Sequence, residues 1–211
     1  MKSRRRLLEK SRLYVIIDKN TASKKPLSGI ASLLAKSGVD IIQLRDKKSP
    51  EKLILREAIL IKKVLSKTQT LFIINDYQDI ARHSQSDGLH LGQEDIPVKV
   101  ARKLLGKHKI IGVSCHNLAQ AEKAQREGAD YVAIGPLFKT ATKPEYQPVG
   151  LNILESIKEK IKIPFFVIGN IKRGNLGKIM AYGINKIVVC RAILKSKDIY
   201  KTSKYFLSQL K

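Results

Sequence analysis

The sequence predicts a single α/β domain of the (β/α)8 barrel class. Three observations predict it: short apolar runs rich in β-branched residues, amphipathic stretches between them, and polar residues gathered where the runs end. The runs are "LYVIID" from Leu13, "DIIQLRD" from Asp40, "LFIIND" from Leu71, "GLHLG" from Gly88, "KIIGVSC" from Lys109, "YVAIGP" from Tyr131, "FFVIGN" from Phe165 and "KIVVCRA" from Lys186. Eight such runs close a (β/α)8 barrel, although 211 residues is shorter than the roughly 250 typical of it. A flavodoxin-like open sheet, the alternative architecture, uses fewer βα units.

The connecting segments carry helix signals. "SPEKLILREAILIKKVL" offers Ser49 as N-cap and Pro50 in the first turn, with Leu53, Ile54, Ala58, Ile61 and Leu65 on one face. "HNLAQAEKAQREG" offers Asn117 as N-cap with Gln120 three residues on, and Gly128 as the stop. No low-complexity segment or internal linker interrupts the series, so residues 13–211 are read as the barrel. Residues 1–12, "MKSRRRLLEKSR", are read as a basic N-terminal extension. Its brevity and Glu9 favour a solvated amphipathic helix at the domain edge over a transit segment or a nucleic-acid-binding arm.

Composition narrows the function classes. The chain is 43% hydrophobic and 28% charged, an ordinary globular balance. No apolar run approaches the roughly 18 residues of a membrane span, and the opening lacks the apolar centre of a secretory signal, so a cytoplasmic location is expected and a membrane partner is not. Cys115 and Cys190 sit in apolar segments without zinc or C-x-x-C spacing, and are expected as reduced, buried thiols. The formal charge of +23 comes from lysine spread over nearly every helix-like segment, with only 6% aromatics and no Trp. A nucleic-acid binder would gather that charge on one face and interleave aromatics with it, so phosphorylated small molecules are the expected partners. Oligomeric state stays open, a homo-oligomer included.

In a (β/α)8 barrel the site lies where strands end and βα loops begin. Alternation along the second strand puts Gln43, Arg45 and Lys47 on one side, two cations and an amide that suit a pyrophosphate. Rim charges paired with Asp46 are the simpler reading. Asp76 and Asp95 follow adjacent strands, and two carboxylates beside cations suit a Mg²⁺ that bridges phosphate oxygens. Either aspartate alone could serve as a helix cap. The sixth strand opens into "GPLFKTATKP", a long connection whose Thr140, Thr142 and Lys143 read as an anion-closing loop. The loops after the seventh and eighth strands, "GNIKRGN" and "CRAI", occupy the recurrent phosphate site of this fold. Two phosphate-handling regions on one mouth imply two phosphorylated substrates, or one substrate phosphorylated at both ends.

The segments "QLRDK", "IND", "DGLHLGQED", "GVSCHN", "ADYVAIGPLFKTATK" and "IPFFVIGN", in this order, resemble the thiamine-phosphate synthase and thiazole tautomerase superfamily over nearly the whole chain after residue 12. The resemblance implies joining 4-amino-2-methyl-5-hydroxymethylpyrimidine pyrophosphate to 4-methyl-5-hydroxyethylthiazole phosphate, or its carboxylated form, with release of pyrophosphate. Its motifs assign the pyrimidine pyrophosphate to Gln43, Leu44, Arg45, Asp46, Lys47, Asn75, Ser114 and Lys143, with Arg45, Lys47, Ser114 and Lys143 as the catalytic set. They assign Mg²⁺ to Asp76 and Asp95, and thiazole phosphate to Thr140, Ala141, Thr142, Asn170, Cys190 and Arg191. The tautomerase branch would instead use His116 as acid and base, and gains nothing from "QLRDK" or the aspartate pair. A barrel that binds a precursor without catalysis is a third reading, and a Schiff-base aldolase is disfavoured because "YVAIGP" has no lysine.

Two positions depart from the family's pattern. Asn170 stands where a second glycine is usual, and is expected to keep a left-handed or tight turn, which Asn tolerates. Arg191 stands where a small residue is usual, and is expected to add a guanidinium to the phosphate.

Overall fold

The computed structural model describes residues 4–22, 25–140 and 146–210. Helix α1 (Arg4–Lys10) precedes β1 (Leu13–Asp18), and strands and helices then alternate through α2 (Leu27–Ser37), β2 (Ile41–Arg45), α3 (Glu51–Leu65) and β3 (Leu71–Asn75). The series continues with α4 (Gln78–His83), β4 (Gly88–Leu91), α5 (Val98–Leu105), β5 (Ile110–Cys115), α6 (Leu118–Arg126) and β6 (Tyr131–Ile134). It ends with α7 (Ile153–Lys160), β7 (Phe165–Val167), α8 (Arg173–Met180), β8 (Ile187–Val189), α9 (Arg191–Leu194) and α10 (Ile199–Gln209). The eight strands pair in chain order, all parallel, and β8 returns to β1 to close the barrel.

Closure gives every strand two buried faces, which is why the runs read as nearly continuous apolar sequence. Val15, Ile17, Ile42, Leu44, Phe72 and Ile74 point outward and pack under the helices. Tyr14, Ile41, Leu71, Ile73, Tyr131 and Phe166 fill the interior instead. Three of these rings pack edge to face, with centroids 6.0 Å apart for Tyr14 and Tyr131 and 5.7 Å for each with Phe166. Gly112 on β5 makes the space: a Cβ there would lie 2.0 Å from Tyr131 Cζ.

The N-terminal helix is amphipathic, with Arg5, Arg6, Glu9 and Lys10 exposed as expected, but its apolar face is built into the barrel. Leu8 is 2% exposed and joins the interior cluster, so α1 seals the barrel at the N-terminal ends of the strands. Arg4 Nε donates to Asp87 at 2.8 Å and Arg5 Nε to Asp130 at 2.9 Å. Those carboxylates also accept strand amides, Asp87 from Phe72 at 3.0 Å and Asp130 from Ile111 at 2.9 Å. The basic opening therefore serves the fold, because its cations meet carboxylates that strand amides already hold in place.

Two helix-start details also differ. Helix α3 begins at Glu51 with Pro50 at the N-cap, while Ser49 donates its N–H to Asp46 Oδ1 at 3.0 Å. A missing N–H costs nothing at a helix start, so Pro50 takes the boundary. Ile54, Ala58, Ile61 and Leu65 are buried as expected, but Leu53 is 51% exposed because it lies one residue off that stripe. Asn117 does cap α6, accepting from Gln120 N at 2.9 Å, whereas the Gln120 amide oxygen returns to His116 N rather than to the cap itself.

Burial would raise the Asp87 carboxyl, but Arg4, Lys62 and the Phe72 amide outweigh it and hold the group below the ordinary value. A carboxyl depressed on folding stabilises the fold above its unfolded value, and that stabilisation is lost as pH falls through the folded value. Asp87→Asn is therefore expected to lower stability by about 1–3 kcal/mol at pH 7. The difference from wild type should shrink near pH 3, measured by urea unfolding at both pH values; an equal difference at both would contradict it.

Candidate active site at the barrel mouth

Along β1, β2, β3 and β5 the inward positions change from apolar to polar toward the C-terminal end, while β6 and β7 stay apolar there with Ala133 and Ile168. On β1 the series is Tyr14, Ile16, Asp18; on β2 Ile41, Gln43, Arg45; on β3 Leu71, Ile73, Asn75; on β5 Ile110, Gly112, Ser114. The polar ends surround an open cleft floored by Ile16, Ala133, Ile168 and Val188. Gln43, Arg45, Asn75 and Ser114 line one part of it, and Thr140, Asn170, Cys190 and Arg191 line another.

Arg45 at the end of β2 and Lys47 just beyond it each have an anionic partner that orients them. Arg45 is ion-paired with Asp18, itself 2% exposed and held by the Thr21 amide at 2.9 Å. Lys47 Nζ lies 3.0 Å from Asp76. Asp46 is not the partner of these cations. Burial would raise its carboxyl, but the Ser49 and Lys48 hydrogen bonds win and hold it low. Its side chain thus builds the turn into α3. Leu44 is likewise corrected: it lies in the helix-facing core and is 1% exposed, so its side chain takes no place in the cleft.

Asp76 has φ +65°, and its N–H donates to the His90 carbonyl at 2.9 Å, so a left-handed turn presents its carboxylate at the mouth. Burial raises its pKa first, and the charge of Asp95 raises it further against the opposing pull of Lys47. Asp95 Oδ2 also accepts from Gly92 N at 2.6 Å. Among the described residues no group of three or more His, Cys, Asp or Glu is placed to hold a metal ion.

On the other side of the cleft, Asn170 has φ +49°, the left-handed turn expected of it. Its Nδ2 donates to Lys139 O at 2.9 Å, and its carbonyl accepts from Asn175 Nδ2 at 2.9 Å. The preceding Gly169 touches the loop after β6: a Cβ there would lie 2.5 Å from Leu137 N and from Pro136 Cα. Cys190 is half-buried rather than fully buried, and burial pushes its thiol up to about 12; Cys115 is buried with its thiol also raised to about 12. Neither is a thiolate at neutral pH. Ala141, Thr142 and Lys143 lie outside the described residues.

His116 lines the cleft, stacks on Tyr146 at 4.2 Å, and meets the Gly135 carbonyl through Nδ1 at 2.5 Å. A carbonyl only accepts, so Nδ1 carries the proton. Sequence reasoning missed Asp18, His90, Tyr14 and Tyr131. Asp18 was findable, since it ends the first strand as Arg45 ends the second; the two tyrosines read as ordinary apolar strand residues.

A closed parallel barrel that gathers Gln43, Arg45, Asn75 and Ser114 with Thr140, Asn170, Cys190 and Arg191 at one mouth is a (β/α)8 protein with its cleft at the C-terminal strand ends. Residues 13–193 match the family profile described as thiamine monophosphate synthase, and the chain belongs to that family. A thiamine-phosphate synthase of Halalkalibacterium halodurans is 37% identical over 196 residues, 92% of this chain and 93% of that one. One from Prochlorococcus marinus is 40% identical over 179 residues, 85% of this chain and 52% of the relative, so the chain spans about half the length of that protein. Among solved structures, thiamine phosphate pyrophosphorylase from Pyrococcus furiosus superposes with a TM-score of 0.88 at 30% identity, covering 97% of each chain.

The left-handed backbone at Asn170 separates two substitutions. Asn170→Gly is expected to leave stability within about 1 kcal/mol, since glycine adopts this conformation freely. Asn170→Val is expected to cost about 1–2 kcal/mol more, because a β-branched side chain crowds the following carbonyl there. Urea denaturation of both checks this, and equal stabilities would contradict it.

Proposed function

We propose that the protein is a thiamine-phosphate synthase: a transferase that joins the pyrimidinylmethyl group of 4-amino-2-methyl-5-hydroxymethylpyrimidine pyrophosphate to the nitrogen of 4-methyl-5-hydroxyethylthiazole phosphate or its carboxylated form. The observation that carries this reading is the gathering of Gln43, Arg45, Asn75 and Ser114 round one cleft with Thr140, Asn170, Cys190 and Arg191, while beside it Lys47 is paired with Asp76, whose carboxyl feels the charge of Asp95. Family membership supplies the substrate class. The tautomerase reading has His116 at the cleft, but leaves Lys47 and the aspartate pair without a role.

In the proposed reaction the methylene carbon–oxygen bond to pyrophosphate breaks, and the thiazole nitrogen lone pair forms the new carbon–nitrogen bond. The exocyclic amine of the pyrimidine stabilises the cation that develops between these events. Little general base is needed, because the attacking nitrogen carries no proton. The protein's task is to neutralise charge on the leaving group, through Arg45, Lys47 and Lys143, and to align the nucleophile. Gln43, Asn75 and Ser114 would hold the pyrimidine end. Thr140 to Thr142, Asn170, Cys190 and Arg191 would hold the thiazole phosphate.

The aspartate pair fits Mg²⁺. Asp76, raised first by burial and further by Asp95, and Asp95 itself offer the hard oxygen donors that would hold such a cation, and Mg²⁺ commonly takes its other ligands from water and phosphate oxygens. When bound, Mg²⁺ would supply Lewis-acid neutralisation of the pyrophosphate. No helix among the described residues is long and apolar enough to cross a membrane, which is compatible with the cytoplasmic location and small phosphorylated partners proposed here.

Purified protein given both substrates and Mg²⁺ is expected to yield thiamine phosphate and pyrophosphate; absence of product would overturn the reading. Asp76→Ala is expected to lower kcat/KM by about 100-fold, on the order of losing one electrostatic stabiliser of a transition state. Full activity in that variant would exclude Asp76 as an essential ligand. Arg191→Ser is expected to weaken thiazole-phosphate binding roughly tenfold in a calorimetric titration, and tighter binding would contradict the added-cation role.

A further inference from the structure

Beneath the cleft, five side chains from five strands form one continuous hydrogen-bonded chain across the barrel interior. Gln43 Nε2 donates to Tyr14 Oη at 2.5 Å, and the Tyr14 and Tyr131 hydroxyls meet at 3.0 Å. Tyr131 Oη meets His90 Nδ1 at 2.9 Å, and His90 Nε2 meets Ser114 Oγ at 2.9 Å. The end members line the cleft, while Tyr14 and Tyr131 are sealed below it, 1% and 0% exposed. His90 stacks on Tyr131 with centroids 5.6 Å apart, which fixes the ring that joins the two halves.

The chain has a direction. An amide nitrogen only donates, so Tyr14 accepts from Gln43 and passes its own hydrogen to Tyr131. Tyr131 then donates to His90 Nδ1, and an imidazole that accepts there carries its proton on Nε2 and donates it to Ser114. Burial keeps both phenols protonated, so each has a hydrogen to pass. Ser114 is left to offer its hydroxyl hydrogen to a ligand, and Gln43 to offer its amide oxygen.

We infer that Tyr14, Tyr131 and His90 are positioning residues that hold Gln43 as a hydrogen-bond acceptor and Ser114 as a donor, and so select an amino-substituted pyrimidine over its oxo counterpart. This rests on the proposed function. An exocyclic amine donates to an amide oxygen, and a ring nitrogen accepts from a hydroxyl. An oxo pyrimidine presents a carbonyl and a ring N–H instead, the opposite pattern. To receive it, Gln43 must turn over and the whole chain must reverse with it. Cutting the chain in the middle removes that coupling, because each end then adapts alone.

The test compares kcat/KM for the 4-amino pyrimidine pyrophosphate with that for its 4-oxo analogue in wild type, Tyr131→Phe and Tyr14→Phe. Each substitution removes one oxygen and keeps the ring, and the two break the chain at different hydroxyls, so a folding failure in one leaves the other as the test. The amino-over-oxo preference is expected to fall about tenfold, the worth of one well-placed hydrogen bond. KM for thiazole phosphate is expected to stay within about twofold, which a general loosening of the barrel would not allow. An unchanged preference in a folded variant, with wild type active, overturns this inference and leaves the proposed function standing. A wild type that forms no thiamine phosphate overturns both, and failure of both variants to fold overturns the positioning role in favour of a structural one.

Discussion

Every other feature depends on the two-residue alternation of a closed parallel barrel. Closure removes the choice of a solvent face, so each inward side chain must be accommodated by its neighbours or by the mouth. At mid-barrel the aromatic trio of Tyr14, Tyr131 and Phe166 occupies the interior, admitted by the missing side chain of Gly112. Nearer the C-terminal ends the inward positions of β1, β2, β3 and β5 are Asp18, Arg45, Asn75 and Ser114. Burying such groups is tolerable only where they are hydrogen-bonded or meet solvent, and the mouth provides both.

The two ends of the barrel consequently divide the work. At the N-terminal end, cations of α1 meet Asp87 and Asp130, whose carboxylates also hold strand amides, and Leu8 closes the interior. Those charges are matched and serve stability. At the mouth the balance is different: Arg45 and Lys47 each have a carboxylate partner, yet Asp76 carries a raised pKa from burial and from Asp95. Lys47 offsets only part of that upward shift.

The strands were readable because burial on both faces leaves a strong apolar signal, and all eight runs became strands in chain order. The polar strand ends were readable for the same reason, since Gln43, Arg45, Asn75 and Ser114 interrupt those runs at the mouth. Less visible was which face a residue takes where the pattern breaks. Leu44 and Asp46 sit between the inward positions of β2, so adjacency in sequence placed them in a site that alternation denies to their side chains. Leu8 reads as part of a charged arm, and only the geometry of the barrel end turns it into core. The chain through Tyr14, Tyr131 and His90 joins residues up to 117 positions apart, a proximity that no local pattern encodes.

The central claim is that the mouth is built to hold a pyrophosphate between the β2 cations and the aspartate pair. Calorimetric titration of the protein with inorganic pyrophosphate, with and without Mg²⁺, tests it without reference to the thiazole half or to turnover. The account expects saturable binding at one site that strengthens with Mg²⁺ and is lost in Lys47→Ala. Binding indifferent to both the metal and Lys47 would contradict it.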